Sequence, residues 1–210
     1  MPDFVIIGAG GHGREVHDVF IALQSTDEMK NMNFLGFIDD GNPNIELLKS
    51  RGSQLLGNSE ILHSLPGVHY VIGIGDPQVR AKLAEKAGSC GLIAHTLIHP
   101  NSSFGHNVVI GAGSVICSFA SVTSDVTLGI HVHLNRNCTI GHDTIVGDFT
   151  SVHPLASISG NVRIGDRVLI GTHGVVLQNL RISANSIVGA GAVVTKDVEH
   201  GKTVVGVPAK

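Results

Sequence analysis

An apolar side chain recurs every six residues along the second half of the chain. The series is Ile98, Phe104, Ile110, Ile116, Val122, Leu128, Leu134, Ile140, Val146, Val152, Ile158, Ile164, Ile170, Val176, Ile182, Val188 and Val194, 17 positions without an insertion. With about half of residues apolar in an average chain, chance produces one such register about once in 10⁵. Glycine follows the apolar residue in eight of these hexads, and four positions on the side chain is mostly small or β-branched, as at Ser114, Ala120, Val126, Val132, Cys138, Thr144 and Ala156. Positions i+4 and i+6 share one face of a short strand, so i+2 and i+3 must turn a corner. Three strands per turn give a triangular coil of about 18 residues, with coils stacked about 4.8 Å apart. This predicts a parallel β-helix of hexapeptide repeats. Ile98, Ile116, Leu134, Val152, Ile170 and Val188 would form one internal stack, and the other two would begin at Phe104 and Ile110.

Residues 1–94 follow another rhythm. Phe4–Ile7, Phe34–Ile38 and Tyr70–Ile74 read as short apolar strands, and Arg14–Leu23 and Gln78–Ala87 as helices. Strand and helix in alternation predict a small Rossmann-like parallel sheet. The expected organisation is therefore an α/β domain over 1–94 and an all-β helix over 95–210, joined near 91–96.

The first strand runs into Gly8-Ala9-Gly10-Gly11-His12-Gly13, which fits G-x-G-x-x-G between a strand and a helix. Amides at a helix start cradle phosphate. A dinucleotide site expects an acidic residue about 20 residues further on. Here Asp39 and Asp40 come later, and the domain is half a dinucleotide fold. The loop therefore points to a single nucleotide or nucleotide-sugar, against the plainer reading of a tight structural turn. Asp39 and Asp40, at a strand's C-terminal end, would accept from a base or ribose, or be an acidic turn.

Composition narrows the classes. The chain has 210 residues and net charge −3, with 27 Gly and no Trp. A nucleic-acid binder would need a basic stripe. Three cysteines without a C-x-x-C pair argue against a disulfide framework or zinc ribbon and fit a reducing compartment. Residues 3–7 are too short for a signal core and no apolar run approaches a membrane span, so a cytoplasmic protein is expected. Residues 161–210 carry six basic and three acidic side chains, net +3, whereas residues 1–160 carry eight and 14, net −6. A polyanion such as coenzyme A would favour the C-terminal coils.

Thirteen histidines raise a metal reading, but their spacing does not fit the zinc set of gamma-type carbonic anhydrases. His142 stands out by position. It is second after Ile140, on a corner, beside Asp143 and one coil below Gly160, whose missing side chain leaves room next to the imidazole. A base, an acid to orient it and a gap outline general-base catalysis; a solvated His-Asp corner is the plain alternative.

Taken together, G-A-G-G-H-G after a strand, then F-I-D-D, a hexapeptide helix bearing G-H-D and a final G-V-P-A-K resemble the NeuD/PglD-type sugar acetyltransferases over the whole chain. The nearest members N-acetylate nucleotide-linked 4-amino-4,6-dideoxy sugars. The resemblance implies a left-handed helix, a homotrimer, and acetyl-CoA held between neighbouring helices, with no metal. It also implies a catalytic pair at His142 and Asp143, acceptor contacts from Gly10, His12, Asp39, Asp40 and Asn135, and coenzyme contacts from Gly160, Ser151 and Ala190. Some members carry a second histidine nine residues after the first; here that position is Ser151, with His153 two further on. The expected reaction is acetyl transfer to UDP-4-amino-4,6-dideoxy-N-acetylglucosamine or a similar sugar of bacillosamine-type glycans. The alternatives are O-acetylation of a sialic acid or other sugar, or a non-catalytic trimeric scaffold that senses a nucleotide.

Overall fold

A computed structural model describes residues 1–26 and 29–210. The N-terminal part is a five-stranded parallel sheet in the order β3-β2-β1-β4-β5. Its strands are β1 (Asp3–Ile7), β2 (Asn33–Ile38), β3 (Leu55–Gly57), β4 (His69–Ile72) and β5 (Ile93–Ala94), and its helices α1 (Gly11–Gln24), α2 (Ile45–Lys49) and α3 (Pro77–Ser89). Alternation along β1 explains how both faces are filled. Phe4 and Ile6 pack under α1 with Val16 and Phe20, and Val5 and Ile7 pack on the other side with Ala84 and Ala87 of α3. Asp76 caps α3 through the Gln78 and Val79 amides, with Pro77 next in line, the standard start for a helix.

Against expectation, β4 stops at Ile72 rather than Ile74. Gly73 passes directly under Gly13, and a side chain at Gly13 would run into the carbonyl of Gly8. The strand end and the helix start therefore cross at backbone contact, which only glycines permit. The sequence reading also missed α2, β3, β5 and a 3₁₀ turn over Ser59–Ser64.

From Leu97 the chain winds through 18 two-residue strands, β6 (Leu97–Ile98) to β23 (Thr203–Val204). Every one of the 17 hexad residues closes one of β6–β22. The strands stack in parallel, 18 residues apart, into three faces. Face I holds β6, β9, β12, β15, β18, β21 and β23; face II holds β7 to β22 in steps of three; face III holds β8 to β20 likewise. The interior contains the expected aliphatic stacks, and the i+4 side chains, from Ala120 to Ala192, are buried with them. Each corner turns through a left-handed residue at i+3, such as Asn107, Asp125, Asp143, Asn161 and Asn179, with φ of 56–65°. Asn and Asp tolerate that conformation best among side chains with a Cβ.

The N-terminal sheet and α1 sit on face I. Leu97, Val115 and Cys117 join the α1 core, and His133 and Ser151 are buried in the same seam. Arg80 of α3 is fully buried there. Its guanidinium donates to the carbonyls of Ile74, Gly75, His131 and Phe149 and to Ser151 Oγ. Burial lowers its pKa to about 9, against the opposing charge of Asp76. Carbonyl dipoles, not an ion pair, hold this cation.

Candidate active site

His142 and Asp143 lie on the corner between β13 (Thr139–Ile140) of face II and β14 (Ile145–Val146) of face III. On an ideal strand neighbouring side chains point to opposite sides. Asp143 has φ 58°, and that left-handed turn brings its carboxylate back to the ring. His142 Nδ1 donates to Asp143 Oδ2 over 2.7 Å, with both side chains more than half exposed. A carboxylate only accepts, so Nε2 is left with the lone pair. The space above Gly160 is real but already used: a Cβ there would stand 2.5 Å from His142 Nε2. Gly160 thus seats the imidazole rather than leaving a gap beside it. The Gly160 amide donates to no acceptor among the described residues. Arg163 Nη1 donates to the Asp143 carbonyl. On face III Arg163 stands in register with Arg181, and the two line a shallow groove of about 220 Å³.

The acceptor residues gather elsewhere. A cavity of about 320 Å³ opens at the C-terminal ends of β1 and β2, walled by Ile38, Ile74, Val79 and Leu83 and edged by Asp39, Asp40, Ser59 and Lys82. This is where open parallel sheets bind ligands. Asp39 does not have free oxygens: Oδ2 accepts from the Ala9 amide (2.6 Å) and Oδ1 from the Gly41 amide (2.8 Å). It ties the glycine loop to the loop after β2. Asp40 accepts from the Ser59 amide through Oδ1, and that bond, the Ser59 hydroxyl and nearby Lys86 hold its carboxyl below the usual range. Gly10 and Gly11 have open space where a Cβ would stand, so a ligand can approach the α1 amides there. His12 is committed on both nitrogens, with Nδ1 3.3 Å from Glu15 Oε2 and Nε2 3.1 Å from His133 Nδ1.

Three expected site residues are dispersed. Asn135 is buried on the corner between faces I and II, next to Arg136, which pairs with Glu15 of α1. Ala190 is exposed on that same corner, three coils along. Ser151 is corrected outright as a coenzyme contact. It is fully buried, and its hydroxyl accepts from Arg80 and donates to Gly75 O. His12 meets His133, which lies one coil below Ser151 and pairs with it in register. Among the described residues no group of His, Cys, Asp and Glu is placed to hold a metal, and no helix is long and apolar enough to cross a membrane.

The triangle gives the main geometric result. His142 sits on the corner between faces II and III, opposite face I, which carries the N-terminal sheet. The His142 corner and the N-terminal cavity of one chain therefore lie on opposite sides of the prism.

Comparison with known proteins agrees with this architecture. Residues 3–87 match the PglD N-terminal domain. The acetyltransferase domain of PglB from Neisseria gonorrhoeae FA1090 is 31% identical, with a TM-score of 0.87, over 100% of this chain and 99% of that one. A variant of perosamine N-acetyltransferase from Caulobacter crescentus, solved with CoA and GDP-perosamine, is 27% identical with a TM-score of 0.90, over 100% and 96%. A 2,3,4,5-tetrahydropyridine-2,6-dicarboxylate N-acetyltransferase from Staphylococcus aureus (strain JH9) is 51% identical over 45 residues, 21% of this chain and only 19% of that enzyme's length. With a Rossmann-like sheet followed by a left-handed parallel β-helix, and full-length similarity at this level, the chain belongs to the PglD/NeuD-type sugar acetyltransferases.

Proposed function

We propose that the protein is an acetyl-CoA-dependent N-acetyltransferase that acylates the 4-amino group of a nucleotide-linked 4-amino-4,6-dideoxy sugar. The acceptor is UDP-4-amino-4,6-dideoxy-N-acetylglucosamine or a close analogue, for a bacillosamine-type glycan made in the cytoplasm. Residues 1–94 bind the acceptor and residues 95–210 carry out the transfer. The observation that carries this reading is the exposed His142, oriented by Asp143 at 2.7 Å and seated on Gly160.

The neutral amine attacks the thioester carbonyl carbon. His142 Nε2 takes the amine proton as the C–N bond forms, and Asp143 stabilises the imidazolium. The tetrahedral intermediate then expels the coenzyme thiolate, which recovers the proton from His142. The free Gly160 amide is the candidate donor to the oxyanion. Arg163 and Arg181 face the anionic end of the coenzyme on face III. Asp40 accepts an N–H of the base, and the α1 amides meet the diphosphate. No acyl-enzyme is required, because the site holds both substrates together.

Because base and acceptor cavity of one chain lie on opposite sides, a working site takes its corner from one copy and its acceptor face from another. A homotrimer meets that need, with Asn135 of one copy level with His142 of the next and Ala190 three coils further along, toward the coenzyme. Thiol release from acetyl-CoA with UDP-, dTDP- and GDP-linked amino sugars tests the reading. Turnover only with sialic acids would make it an O-acetyltransferase, and nucleotide binding without thiol release would make it a scaffold.

A further inference from the structure

His133 is a residue with no assigned role in an unusual place. It projects outward from β12 (His133–Leu134) on face I, between Val115 and Ser151 in register, and is 1% exposed. Leu97 and Val115 fill the same seam with apolar side chains. An imidazole is a poor substitute for these, since its Nε2 is buried with no hydrogen-bond partner among the described residues. A buried unpaired nitrogen is a cost that leucine would avoid. What the histidine gains is on its other nitrogen.

His133 Nδ1 lies 3.1 Å from His12 Nε2, and His12 Nδ1 lies 3.3 Å from Glu15 Oε2. Glu15 Oε1 accepts from Arg136 Nη2 at 2.7 Å, and Arg136 is three residues beyond His133. The contacts close a ring: His12, His133, the corner to Arg136, Glu15, and back along the first turn of α1. Glu15 is kept ionised, first by its bond with His12 and also by Arg136, so His12 carries its proton on Nδ1. His133 is kept neutral by burial and by Arg80, with His12, His131 and His153 adding to the effect. Since Nε2 of His133 faces no partner, its hydrogen bonding is all at Nδ1, in the contact with His12 Nε2.

We propose that His133 is a positioning residue: through the hydrogen bond at its Nδ1 it fixes His12, and so holds the glycine loop and the α1 N-terminus in the orientation that receives the acceptor's diphosphate. This rests on the proposed acetyl transfer. It assigns to His133 an effect on acceptor affinity and none on the chemical step.

The test compares His133→Leu with His133→Asn in the full-length protein. Leucine fills the seam without a donor. The asparagine amide nitrogen stands where imidazole Nδ1 stood. For His133→Leu the acceptor KM should rise about tenfold, with kcat and the acetyl-CoA KM within about twofold of wild type, and His133→Asn should restore most of the loss. Amide hydrogen exchange over residues 10–13 should quicken in His133→Leu and not in His133→Asn. Equal defects in both variants, a loss in kcat, or unchanged exchange and acceptor KM in His133→Leu would each overturn the proposal. Should His133→Leu lose its melting transition, Glu15→Gln breaks the same ring from its solvent side and must give the same exchange and KM pattern. A wild-type protein that acetylates no nucleotide sugar would overturn the proposed function, while the exchange comparison still decides the role of His133.

Discussion

The two parts of the molecule hold their shape by different means. The β-helix repeats one local solution: an apolar residue, a left-handed corner and a small interior side chain, every six positions. The N-terminal sheet is held by single, unrepeated contacts such as Gly13 against Gly8, Asp39 against Ala9, and Arg80 against four carbonyls and a serine. The first kind of order places a side chain by its number in the repeat. The second places it only through partners distant in sequence. The candidate base stands in the first region and the acceptor cavity in the second, so one chain combines a corner that periodicity locates with a pocket that it does not.

The largest expected effect tests whether the corner is purely chemical. His142→Ala should lower kcat about 10²–10⁴-fold with little change in KM or melting temperature, since the ring lies outside the interior stacks. Near-normal kcat would remove His142 as the base. Asp143→Asn should cost less, because the base survives. Conversely, an interior position should affect stability alone: Leu134→Ala, fully buried, should cost about 2–5 kcal/mol in denaturant unfolding. A cost well below that range would mean the stacks tolerate voids, and the contrast between the two regions would weaken.

The acceptor cavity should respond in KM. Asp39→Ala frees the Ala9 and Gly41 amides and should raise the acceptor KM about 10–150-fold, leaving the acetyl-CoA KM nearly unchanged. Equal weakening of both would place the two substrates in one region. Mixing His142→Ala and Asp40→Ala proteins under subunit exchange sharpens the point. Sites shared between copies should recover about a quarter of wild-type activity, because mixed trimers regain one intact site in three; sites confined within one chain would recover none.

A further effect concerns acid. His17 and His131 have pKa values lowered to about 4, mainly by burial. The unfolded chain therefore binds protons below pH 6.5 that the folded chain refuses until about pH 4. Stability is full above 6.5 and falls through this window, by about 2 kcal/mol per histidine at pH 5. Loss of Glu15 ionisation works in the same direction at lower pH. Melting curves from pH 7.5 to 5 should show the decline; a flat profile would mean these rings protonate without unfolding the seam.

All 17 hexad positions were legible in the sequence, and so were the His142–Asp143 corner and Gly160 beside it, because adding 18 finds the stacked neighbour. β1, β2 and α1 were legible from apolar runs and the glycine loop. β3, three residues long, and β5, two residues long, carry too little pattern to be read. The His12–His133 contact spans 121 residues, and no local signal announces it. Ser151 was misplaced for the same reason. Its position in the repeat shows that it faces outward, but not that the N-terminal sheet covers that outward face.

The left-handed corners have one more consequence. The coil rise of about 4.8 Å makes the prism a ruler, and the N-terminal sheet is mounted on its first graduations, from Leu97 to Ser151. An 18-residue insertion beyond Gly160 would lengthen the scale without moving the marks that matter. The same insertion between Ile116 and His133 would split the seat of the N-terminal sheet, parting Leu97 and Val115 from His133 and Ser151 while every coil still stacked. Length is therefore free to change above the seat of the N-terminal sheet and not beneath it.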